Sequence, residues 1–140
     1  MTEAVLVDTG PLVAFLNGRD RYHGWSEEVF SGVDAPVFTC EAVVSETCFL
    51  LRQAKGGAEA VLKLLDRGLV RIPFRLEPES APIRRLLARY GNVPMSLADA
   101  CLVRMSEQMS DSVVLTLDRD FKVYRRQGRN VIRTWMPSGL

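Results

Sequence analysis

A chain of 140 residues that is 47% hydrophobic and 25% charged holds enough apolar material for one sizeable core and is too short to expect two domains. Its formal net charge of +1 removes any global field that would mark a nucleic-acid or membrane binder, so such roles must be argued from local clusters. Cys40, Cys48 and Cys101 are odd in number and lack CxxC spacing, which reads as buried free thiols in a reducing compartment. No basic-then-apolar leader opens the chain and no apolar run could span a bilayer, so the expectation is a cytoplasmic protein.

Ala4-Val5-Leu6-Val7 is a short β-branched run of the kind buried on both faces of a sheet. It breaks at Asp8-Thr9-Gly10-Pro11 and resumes as Leu12 to Leu16, where Pro11 suits the first turn of a helix. Asn17-Gly18-Arg19-Asp20 is a turn, and a second helix opens at Asp20 or at Tyr22-His23 and runs to about Phe30. A brief strand follows at Val37-Phe38-Thr39, with Thr39 able to cap a helix from Glu41 to Gln53. Gly56-Gly57 separates this from a helix over Ala58 to Arg67, and Leu69 to Ile72 reads as a strand stopped by Pro73. Further helices are expected over Glu77 to Tyr90 and over Leu97 to about Met109. Ser112 to Thr116 is a strand, Leu117 to Phe121 a turn, and Val131-Ile132-Arg133 an edge strand. Strands alternating with helices imply a mainly parallel sheet joined by right-handed crossovers, in one domain spanning 1–140.

Four acids stand where such a sheet places chemistry. Asp8 follows the first strand, and ligands of open α/β sheets sit beyond the carboxyl ends of the strands; alone it reads equally as a turn or capping residue. Glu46 borders the stripe Val43, Thr47, Leu50, Leu51 and Ala54, where it either lines a cleft or snorkels to water. Asp99 completes a Ser96-x-x-Asp99 capping signature and also borders the buried stripe Ala98, Cys101, Leu102 and Met105. Asp118 follows a second buried strand, with the Thr116 hydroxyl two residues earlier and Asp120 as a nearby alternative. Together they describe an acidic pocket, whose mutual repulsion a divalent cation relieves. All-oxygen donors select Mg²⁺ or Mn²⁺ over zinc. His23 is the sole histidine, which excludes a multi-histidine zinc site.

In their order along the chain, Val5 to Leu12, Glu41 to Leu51, Ser96 to Ala100 and Val114 to Phe121 resemble the PIN-domain ribonucleases, particularly the toxins of VapBC-type toxin–antitoxin pairs. The resemblance covers nearly the whole chain. It implies a three-layer α/β/α sandwich with a central mainly parallel sheet of four to five strands. It also implies an acidic quartet of Asp8, Glu46, Asp99 and Asp118, supported by Thr116, Thr9 and Asp120. The expected reaction is Mg²⁺- or Mn²⁺-dependent hydrolysis of RNA phosphodiester bonds by one ion or two. A homodimer and an antitoxin partner are further implications.

RNA beside carboxylates requires compensating positive charge. Arg119, Lys122, Arg125, Arg126, Arg129 and Arg133 form one basic cluster, and Arg84, Arg85 and Arg89 another; each is either a phosphate contact or a solvated face. Tyr124 offers a ring to stack on a base or to pack in the core. The helices around Trp25–Phe30 and Val43–Leu65 carry surplus apolar surface, either for the core or for a partner. Two rival readings remain: a PIN-like scaffold that binds RNA or protein without cutting, and a phosphoaspartyl phosphatase-like enzyme with Asp8 as nucleophile. The latter normally needs a second acid two residues on, where this chain has Gly10.

Overall fold

The strand β1 (Ala4–Val7) carries only apolar side chains, and Leu6 and Val7 are wholly enclosed. That is the condition of a strand covered on both faces. In the computed structural model, which describes residues 3–140, the chain continues through α1 (Thr9–Leu16), α2 (His23–Ser31), β2 (Val37–Phe38), α3 (Glu41–Leu50), α4 (Gly57–Asp66) and β3 (Val70–Arg71). A 3₁₀ turn (Glu77–Glu79) then leads into α5 (Ser80–Arg89), followed by α6 (Leu97–Gln108) and β4 (Ser112–Leu115). A second 3₁₀ turn (Arg119–Lys122) precedes β5 (Arg125–Arg126), β6 (Asn130–Val131) and β7 (Thr134–Trp135). The main sheet has the order β3-β2-β1-β4-β7 with every pair parallel, and helices flank it in the three-layer α/β/α arrangement.

The register of β1 on β4 positions the site. Ala4 pairs with Ser112 and Val7 with Leu115, so the two central strands end level, and the Asp8 amide extends the ladder to the Leu115 carbonyl at 3.0 Å. Leu6, Val7, Leu102, Met105, Val114, Leu115, Phe121 and Tyr124 belong to the principal core. A smaller cluster of Val44, Leu51 and Val61 joins α3 to α4. Cys40 and Cys101 are buried free thiols, as expected, and Cys48 is half-buried and free. No helix among the described residues is long and apolar enough to cross a membrane.

Several elements depart from the sequence reading for identifiable reasons. The edge strand forms at Thr134–Trp135 rather than over Val131–Arg133. Asn130 and Val131 instead pair antiparallel with Arg126 and Arg125. Gln127 and Gly128, at φ 51° and 78°, supply the left-handed backbone that a tight hairpin turn requires. Thr39 does not cap α3: its hydroxyl donates to the Val7 carbonyl at 2.7 Å, tying the end of β2 to the end of β1, and Cys40 takes the cap position without a side-chain bond. The helix expected from Glu77 starts as a 3₁₀ turn, since Pro78 and Pro82 lack amide donors. Leu50, placed on the buried stripe of α3, is half exposed, as are Phe49 and Leu62, whereas Trp25 and Phe30 pack on the core.

Leu6 is fully buried at the centre of the sheet. Leu6→Ala is expected to cost about 2–5 kcal/mol, the range for large-to-small core changes. Chemical denaturation reads this as a lower midpoint, and an unchanged midpoint would contradict the placement of β1 at the core.

Candidate metal centre

Asp8 is where β1 hands over to α1. Its Oδ1 accepts the Thr9 amide at 2.8 Å, which caps the helix, and its Oδ2 accepts the Thr116 hydroxyl at 2.6 Å. The same Thr116 oxygen accepts the Asp118 amide at 2.9 Å. Asp118 Oδ1 in turn accepts the Asp120 amide at 2.9 Å and starts the 3₁₀ turn. Asp99 enters from the first turn of α6, where its amide donates to Ser96 Oγ at 3.0 Å, so the capping signature holds. Its Oδ2 accepts the hydroxyl of Tyr124 at 2.8 Å.

These bonds bring three of the four expected acids together: Asp8, Asp99 and Asp118 each offer a carboxylate oxygen, all within 4.8 Å of one another. Glu46, exposed on α3, lines the same cavity but stands outside this group of three. Asp120 also lines the cavity without joining the three. The cavity measures about 840 Å³. Gly10 forms part of its wall, and a Cβ there would stand 3.1 Å from Leu117, so glycine lets the first turn of α1 lie against the segment after β4.

Burial pushes Asp8 up to about 6, against the Thr116 and Thr9 hydrogen bonds that lower it, with Asp99 and Asp118 adding repulsion. Burial likewise raises Asp99, opposed by the Tyr124 hydroxyl and reinforced by Asp118. Glu46 is raised by burial and then by Asp99 and Asp118, and Asp120 by burial and then by Asp118. The donor set is entirely hard oxygen, and among the described residues no histidine or cysteine lines the cavity. Thr9 adds, beside Asp8, a buried hydroxyl oxygen with no hydrogen-bond partner among the described residues. Convergent carboxylates that repel one another and an unpartnered hydroxyl fit a hard divalent cation.

The basic residues separate into two kinds. Arg119 lines the cavity. Lys122 donates to the Leu140 carbonyl, Arg125 to the carbonyls of Lys122, Val123 and Tyr124, and Arg126 to those of Ser106 and Ser110. Arg133 pairs with Glu3 and lies near Asp111, while Arg129 is exposed. On α5, Arg84 and Arg85 are exposed and Arg89 donates to the Gly128 carbonyl. His23 bonds the Ala14 carbonyl and Glu27 and is not among the lining residues.

Sequence reasoning missed three lining residues, Asp20, Arg21 and Tyr22, which it read only as a turn and a helix start. Asp20 accepts the Tyr22 amide at 2.8 Å, and that turn carries the neighbouring side chains to the cavity. It also left Tyr124 open as a base-stacking ring. That reading fails because Tyr124 is completely buried, and its contribution to the site is its hydroxyl.

The family model described as PIN domain matches residues 5–127. The fold is similar to that of the crystal structure of Mycobacterium tuberculosis VapC20, a sarcin-ricin loop cleaving toxin, with a TM-score of 0.77. The match is 22% identical and covers 86% of this chain and 94% of that one, a likeness of fold. No curated protein matches the chain in sequence.

A buried acid whose folded pKa lies above its unfolded value holds its proton more tightly in the native state. The stability it confers is present below its unfolded pKa of 3.8 and is lost as pH rises through about 6. Metal-free Asp8→Asn is therefore expected to be more stable than the parent protein near neutral pH, by about 3 kcal/mol for a shift of this size. The difference should shrink toward zero near the unfolded pKa. Denaturation midpoints measured across this range check it, and a difference independent of pH would refute the assignment to Asp8.

Proposed function

The chain belongs to the PIN domain family, and from that premise we propose that it is a Mg²⁺- or Mn²⁺-dependent endoribonuclease acting as the toxin of a toxin–antitoxin pair. The observation that carries this reading is the convergence of Asp8, Asp99 and Asp118 beyond the level ends of β1 and β4. These three residues would hold the ion, with Glu46 acting directly or through water from α3. A divalent ion supplies charge for the phosphoryl oxygens and lowers the pKa of water.

The chain's own groups do the positioning. Thr116 fixes Asp8 relative to Asp118, the Thr9 amide holds the other Asp8 oxygen, and Tyr124 holds Asp99. Arg119, at the cavity, supplies a planar fork for an adjacent RNA phosphate. Phe49, Leu50 and Leu62 expose apolar surface that suits an antitoxin or a second copy of the chain. The three free thiols accord with a cytoplasmic setting.

The test incubates purified protein with mixed cellular RNA in the presence of Mn²⁺, with and without EDTA. The expected outcome is fragmentation that needs Mn²⁺, is stopped by EDTA and falls to background in Asp8→Asn. RNA left intact by the folded parent protein with Mn²⁺ supplied would favour the non-cutting scaffold. If Arg119 contacts a phosphate, Arg119→Ala weakens RNA binding and reduces the slope of log affinity against log salt by about one. An unchanged slope would remove Arg119 from the RNA path.

A further inference from the structure

Tyr124 is a polar-tipped side chain with no exposed surface. Its ring meets Tyr90 edge-on at 5.1 Å and Phe121 at 5.2 Å, and Tyr90 is itself held by the Arg125 amide at 2.9 Å. The phenol therefore cannot swing to follow a moving carboxylate. Its hydroxyl makes the one hydrogen bond that reaches the Asp99 carboxylate from outside the first turn of α6. It engages Oδ2, while Ser96 at the start of α6 also donates toward the carboxylate.

The other two acids are restrained in the same sense. Asp118 has Oδ1 on the Asp120 amide, and Asp8 has a donor on each oxygen. Those donors are backbone amides or a threonine pinned between two partners. Asp99 depends on a phenol 25 residues further along the sequence, much as Asp8 depends on the Thr116 hydroxyl far from it in sequence.

Resting on the metal-dependent reading above, we propose that Tyr124 is a positioning residue that sets which divalent ion the centre accepts, by committing Oδ2 of Asp99 to the phenol. Mg²⁺ requires a small, near-octahedral shell and takes carboxylates through single oxygens. Ca²⁺ takes six to eight oxygens and often draws both from one carboxylate. A carboxylate with one oxygen committed serves the small ion and leaves the large one short of ligands. Removing the phenol hydroxyl releases the second oxygen while keeping the ring that packs.

The experiment measures Mn²⁺ and Ca²⁺ affinities of metal-free parent protein and Tyr124→Phe by titration calorimetry. The expected result is that the parent prefers Mn²⁺ and that the variant's preference over Ca²⁺ falls by about tenfold, the lower end for partners of metal ligands. A packing role would weaken both ions in proportion, so a variant with lower affinities but an unchanged ratio overturns the proposal. A folded parent that binds neither ion overturns the metal-dependent reading together with this one, and the parent arm alone reveals it. Should Tyr124→Phe fail to fold, the parent protein labelled with ¹³Cζ-tyrosine answers instead. Ca²⁺ is expected to shift the Tyr124 resonance by breaking its bond to Asp99, whereas Mg²⁺ leaves it in place. Equal responses to the two ions overturn the proposal.

Discussion

One hydroxyl joins the two halves of the site. Thr116 Oγ1 donates to Asp8 and accepts the amide of Asp118, so a single fully buried atom fixes the end of β1 against the segment leaving β4. It can do so only because the two strands run parallel and in level register, with Val7 opposite Leu115. A slip of one residue would turn Thr116 to the other face of the sheet and separate the acids. The apolar character of β1 and β4 is therefore part of the chemistry, since covering both faces is what specifies the register.

The same arrangement opposes folding. Burial and mutual repulsion raise Asp8, Asp99, Glu46 and Asp120 above their ordinary ranges. Removing carboxylates from water to stand together destabilises the ion-free native state. Internal donors offset part of that cost: the Thr9 amide, the Thr116 and Tyr124 hydroxyls and the Asp120 amide each stabilise a carboxylate. The core supplies the rest, and Phe121 and Tyr124 serve both ends, as packed aromatics and as support for the site.

What the sequence revealed follows from periodicity. Buried strands announce themselves as short apolar runs, so Asp8 and Asp118 could be placed at strand ends, and a helical stripe put Asp99 at a border. Glu46 was readable as facing a cleft, but its standing outside the close group of three depends on how α3 sits over the sheet, which no local pattern encodes. The basic C-terminal segment illustrates a further limit. Charge density along the chain looked like a phosphate tract, yet Lys122, Arg125 and Arg126 satisfy backbone carbonyls. Tyr124 was readable as a packed aromatic but not as a donor, for the same reason: its partner lies 25 residues away, and only tertiary packing turns a core aromatic into a donor for Asp99.

The composition of the cavity wall bears on the order of events. Six acidic residues and two arginines line it, so in the ion-free state it repels a polyanion even though the whole chain carries a formal charge of +1. Bulk charge and local field therefore disagree in sign, and the local one governs what reaches the acids, since exposed charges more than about 10 Å away are largely screened at ordinary salt. A divalent cation at Asp8, Asp99 and Asp118 would offset about half of that excess negative charge and would stand beside the point where a phosphate would sit. Under the proposed function cation and RNA would be coupled ligands, each raising the affinity of the site for the other by the same factor. Under the same reading, the carboxylates that destabilise the empty fold would become the source of its selectivity, because RNA would enter productively only where an ion has already met the geometry that Thr116 and Tyr124 hold.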